Sequence, residues 1–508
     1  MSTSALASGG SPESPRGARG PSAPARARRR GTAITVAALL AGPTVIAFFA
    51  GGYFDAPRID AGVVAWVLAA AAAVLVARPV PAGLGVRLAL GGLAALAAFT
   101  LLSMLWAPVA GTAYHAGQRI VLYLGTLVAA AALLQSPPAQ RAVEPALGAG
   151  ILIVIGYGLS ERFLPGLLSF ARSTSAQGRL EQPLTYWNAM GEVAAIGVVL
   201  AARLAGDASR PRTIRLIAAA AAAPLGMGLY LSFSRGALFA CVAGLITLVV
   251  AAPRRAQARG LAVAGGAAVL AAIAAAPFSA VTSMAGSLGH REAQGAIVLL
   301  AVLVIAGLAA LIQARLTARE SDRALTLPRR TPWLAVIVIC AGLALAIVAG
   351  AKEQSAQPLG AGGARLVSLQ SNRYAYWRVA LRAFGQQPLY GVGAGGWVVD
   401  WLRWRPFLEG AQDAHSLELQ TLAELGIVGL ALLAAFLAGI GLAVRDALRA
   451  APAAAAGASA AIVTYLAHSP LDWDWQMPAV TLIALVLVGA LLALPAATAA
   501  APEEPRRG

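Results

Sequence analysis

Apolar runs close to the roughly twenty residues needed to cross a bilayer recur along all 508 residues, and this constrains the fold more than any other feature. Such runs leave their backbone polar groups no partner in hydrocarbon except the hydrogen bonds of their own helices. Charged residues make up 12% of the chain, about half of the roughly 25% usual in soluble domains. That is too few to coat a soluble globule of this size. The chain therefore reads as all-α: a polytopic transmembrane helical bundle whose surroundings are a lipid bilayer. Its net charge of +17 does not signal nucleic acid. The arginines lie between apolar runs rather than on a folded soluble domain, so no nucleic-acid partner is expected.

Spans are expected near 33–50, 60–77, 87–106, 119–135, 142–159, 188–205, 214–232, 235–252, 260–277, 293–314, 332–351, 416–443, 453–468 and 478–498, about fourteen in all. The chain then divides into a disordered basic tail at 1–32, transmembrane helices 1–11 over 33–351, a large loop at 352–414, transmembrane helices 12–14 over 415–498 and a second tail at 499–508. Residues 1–32 are rich in Ser, Pro, Gly and Arg, a composition that cannot bury a core. No small-residue cleavage site follows the first run, so a retained signal anchor is expected. Cys241 and Cys340 both fall inside apolar runs and read as buried packing residues.

Arginine placement orients these spans. With a cytoplasmic N-terminus, the inward segments hold Arg78 and Arg87, Arg141, the group Arg203 to Arg215, the group Arg254 to Arg259, the group Arg315 to Arg330, and Arg445 with Arg449. Every inward segment carries at least one. Both termini are thus expected in the cytoplasm, and the loop at 352–414 outside. Long ordered loops usually carry function.

Several outward residues have the chemistry of a site. His415 lies in Asp413-Ala-His-Ser-Leu-Glu418, where the long loop returns to the membrane. Glu418, one helical turn on, is expected to hold the imidazole. Residues 371–384 carry Tyr374, Trp377, Leu381 and Phe384 at helical spacing, with Arg378 and Arg382 alongside. This is an amphipathic helix on the headgroups, a binder of phosphorylated lipid, or both. Gly391 to Gly396 matches G-x-G-x-x-G but lacks the flanking strand and helix of a dinucleotide site, and reads as a flexible turn. Asp472-Trp473-Asp474-Trp475 has the D-x-D form of some metal sites, although its two tryptophans suit sugar stacking or interface anchoring better. Arg235, in Ser232-Phe-Ser-Arg-Gly236, is pressed between two apolar runs. An arginine there either contacts an anion or snorkels to the headgroups. Arg179 precedes the aromatic-amide cluster Glu181 to Asn188 and offers a second such cation.

Three of these stretches resemble the bacterial O-antigen ligase and polymerase superfamily. They are Arg179 through Gly191, Ser232 through Ala237, and Arg373 through Pro388-Leu-Tyr-Gly-Val-Gly393 to His415-Ser416. His415-Ser416, nine residues and then Gly426-Ile-Val-Gly429 fits the ligase pattern. The resemblance implies a GT-C-like membrane glycosyltransferase of the bacterial cytoplasmic membrane. Such an enzyme moves a glycan from a polyprenyl-diphosphate carrier to a glycan, lipid or protein acceptor on the extracytoplasmic face. It implies His415 and Arg235 as catalytic groups, with Arg179, Arg373, Arg378, Asn188, Glu418 and Trp473 binding substrate. No cofactor or metal is called for, since cations can hold the diphosphate. The expected spans outnumber those of typical ligases. A repeat-unit polymerase on the same carrier needs the same donor site, and a transporter of small anions is the reading from another class. A transporter would place ionisable groups at mid-membrane, whereas Glu192, Glu418 and Glu424 lie near the ends of their runs.

Overall fold

A computed structural model of the chain describes residues 23–318, 323–352, 361–367 and 371–499. The expected tails lie outside the described residues as far as residue 22 and from residue 500 on, and so do 353–360 and 368–370 of the long loop. In chain order the helices are α1 (Ala23–Ala47), α2 (Asp55–Leu75), α3 (Leu84–Leu102), α4 (Ala110–Leu133), α5 (Pro137–Phe163), α6 (Trp187–Gly206), α7 (Arg212–Leu231), α8 (Arg235–Ala251) and α9 (Arg255–Ala275). There follow α10 (Ser279–Thr282), α11 (Leu288–Ala318), α12 (Thr331–Lys352), α13 (Ala364–Val367), α14 (Arg373–Gln386), α15 (Trp397–Trp404), α16 (Leu417–Ala450), α17 (Pro452–His468) and α18 (Pro478–Ala499). Among the described residues the one β-type contact is an isolated bridge between Arg254 and Ala324.

Each expected span falls on a helix, and eleven of the described helices are long and apolar enough to cross a membrane. α8 and the stretch Thr331–Leu345 of α12 are apolar but shorter. Boundaries move where local propensity continues a helix. α1 begins at Ala23 rather than at residue 33, because the alanines and arginines before the apolar run are strong helix formers. The protein is an integral membrane protein.

α6 and α18 form the centre. Every residue of α6 from Asn188 to Gly206 is buried, and so is α18 from Pro478 to Leu494. A helix that is apolar all round belongs in such a position. The peripheral helices instead expose large apolar side chains, among them Val63 and Val64 of α2 and Leu300 and Leu303 of α11. Cys241 is buried in α8 as expected, but Cys340 is exposed on α12.

The connections gather at two ends of the bundle. At one, Arg28 donates to the Leu75 carbonyl, Gln135 to the Arg78 carbonyl and Arg215 to the Ala205 carbonyl. Arg203 there donates to Asp207 at 2.8 Å, and Glu144 accepts from Arg210 at 3.2 Å, which ties α5 to the connection between α6 and α7. At the other end the loops around Tyr53, Tyr186, His415 and Asp472 converge.

Candidate active site

His415 stands just before α16 and is not part of it. Its φ of +53° is left-handed, a conformation an L-residue holds only when its surroundings impose it. Three contacts impose it here. Ser416 caps α16 by accepting from the Leu419 N–H at 3.3 Å. Leu417 donates its N–H to the Ser469 carbonyl at 3.0 Å. The imidazole itself stacks on Tyr376, with centroids 4.9 Å apart and planes 28° apart, and meets the edge of Trp473. His415 Nδ1 lies 2.9 Å from the Asp413 carbonyl oxygen. A carbonyl only accepts, so Nδ1 carries the proton and Nε2 presents a lone pair. Burial holds the imidazole below its ordinary histidine value, although Asp472 pulls the other way.

This corrects the expected role of Glu418. Its carboxylate accepts from Ser416 Oγ at 3.4 Å, and the partner of the imidazole is the Asp413 carbonyl. The helical i, i+3 argument failed because His415 precedes the helix.

Asp472 is the hub at which three chain segments meet. One carboxylate oxygen accepts from Tyr186 Oη at 2.7 Å and from the Trp473 N–H at 2.9 Å. The other accepts from Asn188 Nδ2 at 2.6 Å and from the Arg373 guanidinium. Its partners are those of a buried anion held by an arginine. Burial by itself would raise Asp472, but Arg373, with His415 and His468 behind it, keeps it below the usual carboxylate range. Asp474 is taken up separately by buried His468. Trp473 packs on Tyr186 at 4.3 Å and on Tyr53 at 5.5 Å, so its ring forms part of the wall beside His415.

Further cations lie near this carboxylate. Arg179 lies over the Trp187 ring at 3.6 Å, with its Nε on the Ala176 carbonyl. Burial and then the charge of Arg365 push it down to about 9, which still leaves it charged at neutral pH. Arg365 is itself lowered by burial and by Arg373. Three guanidiniums therefore feel one another electrostatically beside Asp472. Nothing local marks Arg365 in the sequence, whereas Tyr186 belongs to the aromatic-amide cluster Glu181 to Asn188 and only its bond to Asp472 is new. Arg235 opens α8 on the same rim: its neighbour Gly236 abuts the His468 ring. Arg378 does not join the cluster; it is exposed and lies over Tyr374 at 5.8 Å.

The loop helix was expected to present Tyr374, Trp377, Leu381 and Phe384 as its apolar face. In α14 the face turned to the bundle is Ala375, Tyr376, Val379, Ala380 and Ala383, while Leu381 of the apolar set is exposed, as a face lying on headgroups would be. The buried face packs with Trp397 and Trp401 in a separate small core. The glycine-rich segment is not a flexible turn. Val392 and Gly393 donate to the carbonyls of Ala423 and Glu424, while Ile427 and Val428 donate to those of Pro388 and Leu389. These bonds use backbone groups released where α16 breaks at Gly426, whose φ is 64° and ψ −161°. A side chain there would run into the Leu389 carbonyl, and one at Gly391 into the Glu424 backbone. Glycine at both positions lets the loop dock and fixes the approach to His415.

A polytopic helical membrane protein with a histidine, a carboxylate and a set of arginines gathered at one end of its bundle is thus defined. Residues 284–434 match the family model described as O-antigen ligase. The match supports the O-antigen ligase superfamily, a family of ligase- or glycosyltransferase-type enzymes acting in membranes. The matched stretch contains Arg365, Arg373 and His415, while Arg179, Asn188, Arg235 and Asp472 lie outside it. No curated protein matches the chain.

Proposed function

We propose that the protein transfers a glycan from a polyprenyl-diphosphate carrier to a hydroxyl-bearing acceptor at the extracytoplasmic face. The observation that carries this reading is the setting of His415, whose Nδ1 is tied to the Asp413 carbonyl at 2.9 Å and whose imidazole feels the charges of Asp472 and Arg373. The acceptor oxygen attacks the anomeric carbon of the glycan and forms the new glycosidic bond. The bond from that carbon to the diphosphate oxygen breaks, and its electron pair leaves with the polyprenyl diphosphate. The acceptor proton passes to His415 Nε2. Arg179, Arg365, Arg373 and Arg235 take up the charge that develops on the diphosphate; planar guanidiniums suit its oxygens. Asn188 and Tyr186 hold Asp472, which holds Arg373, and Trp473 offers a face for a sugar ring.

In proteoliposomes charged with a polyprenyl-diphosphate-linked glycan and an acceptor, the protein is expected to release polyprenyl diphosphate as the acceptor gains mass. Donor that stays intact over a panel of glycan, lipid and protein acceptors rejects the reading.

The excess of arginine at the opposite end of the bundle supports an extracytoplasmic site. With Cys241 and Cys340 replaced, Gly410→Cys is expected to react with an impermeant maleimide in intact cells, and Thr326→Cys only after lysis. The reverse pattern overturns the orientation.

A further inference from the structure

At the arginine-rich end the bundle contains a second feature, unconnected with the site. α1 and α5 meet closely where Thr44 faces Gly150. From there toward the start of α1 they flank an open groove of about 1200 Å³. Its walls are apolar, with Leu40 and the small Ala37 and Ala41 from α1 facing Ala142, Ala146 and Ala149 from α5. Its mouth is different. Arg28 and Arg29 line it together with Ser136 and Pro138 at the start of α5. The Arg28 side chain is fixed there by its Nε, which donates to the Leu75 carbonyl at 2.8 Å. The N-terminal end of α5 adds the positive pole of a long helix. No carboxylate lines the groove among the described residues.

An apolar slot between helices with a cationic mouth complements a lipid whose head is an anion. We propose that the α1–α5 groove holds one anionic glycerophospholipid, its phosphate at Arg28 and Arg29 and its acyl chains along the alanine-lined walls. The chain's own first residues are a poor occupant. Residues 1–22 hold Arg16 and Arg19 against one acid, Glu13, and are otherwise rich in Ser, Gly and Pro. They match neither the apolar walls nor the sign of the mouth. The bilayer supplies the lipid directly, because Val45 and Ile153 on the flanks are exposed.

Native mass spectrometry of the full chain in detergent, titrated with phosphatidylglycerol and with phosphatidylcholine, tests this assignment. The wild type should retain one phosphatidylglycerol and bind phosphatidylcholine at least about tenfold more weakly. Arg28→Gln with Arg29→Gln should lose that preference, while Arg28→Lys with Arg29→Lys should largely keep it. Ala146→Phe, which fills the slot, should weaken both lipids. Equal retention of the two lipids by the wild type overturns the proposal. So does a preference that survives the double glutamine variant, a copurified polyprenyl phosphate in place of the phospholipid, or a wild type that takes up no lipid because residues 1–22 fill the groove. Monodisperse elution of each variant guards against misfolding.

Discussion

His415→Ala is expected to lower glycan transfer by about 10²–10⁴-fold, the usual contribution of a positioned general base. Donor binding should survive, because the guanidiniums that receive the diphosphate belong to other segments. The pH profile gives a second signature. A base works in its unprotonated form, and burial holds the His415 imidazole below its ordinary value of 6.5. Wild-type transfer should therefore be level through neutrality and fall only as pH drops through that depressed value. An acid limb above 6.5 would contradict the tautomer and burial described for His415.

Removing Asp472 should have an effect of similar size by a different route. Asp472→Ala leaves Arg373, Tyr186 and Asn188 without their common acceptor. Breaking a buried pair from one side costs about 3–5 kcal/mol. The expected result is a marked fall in thermal stability together with loss of transfer. Arg373→Ala should destabilise in the same way, since it strands the carboxylate. The double variant should be much less impaired in stability than the sum of the two, as coupled partners require. Transfer should not return in it, because the cation that meets the diphosphate is gone. Additive stability losses would mean that Arg373 and Asp472 are not energetically paired.

The membrane-spanning helices were legible because their signal is local: twenty apolar residues in a row announce themselves without a partner. His415-Ser416 was legible for the same reason, at the point where the long loop returns to the membrane. What surrounds His415 was not. Tyr186 and Asp472 are 286 residues apart, and no periodicity connects them. The sequence therefore gives Asp472 no partner, and Arg373, Asn188 and Tyr186 gather around it only in the fold. Arg365 carries no local mark at all. The second face of α14 carries no such signal: it packs with Trp397 and Trp401 through small side chains such as Ala375, Ala380 and Ala383, which a periodicity reading of its large aromatics passes over. The glycines at 391 and 426 were visible as letters, while their purpose emerges only when the loop and the broken helix are side by side.

The central claim is that His415 takes a proton and does more than shape the turn before α16. Asparagine separates the two roles. Its amide can still donate to the Asp413 carbonyl and it tolerates a left-handed backbone, but it has no basic nitrogen. The most direct measurement is consumption of polyprenyl-diphosphate-linked glycan by reconstituted His415→Asn beside the wild type, at equal protein and matched thermal stability. The expected result is a folded variant that retains the donor and consumes it about a hundredfold more slowly or worse. A His415→Asn protein that consumes donor at close to the wild-type rate would contradict it and leave His415 as a structural residue.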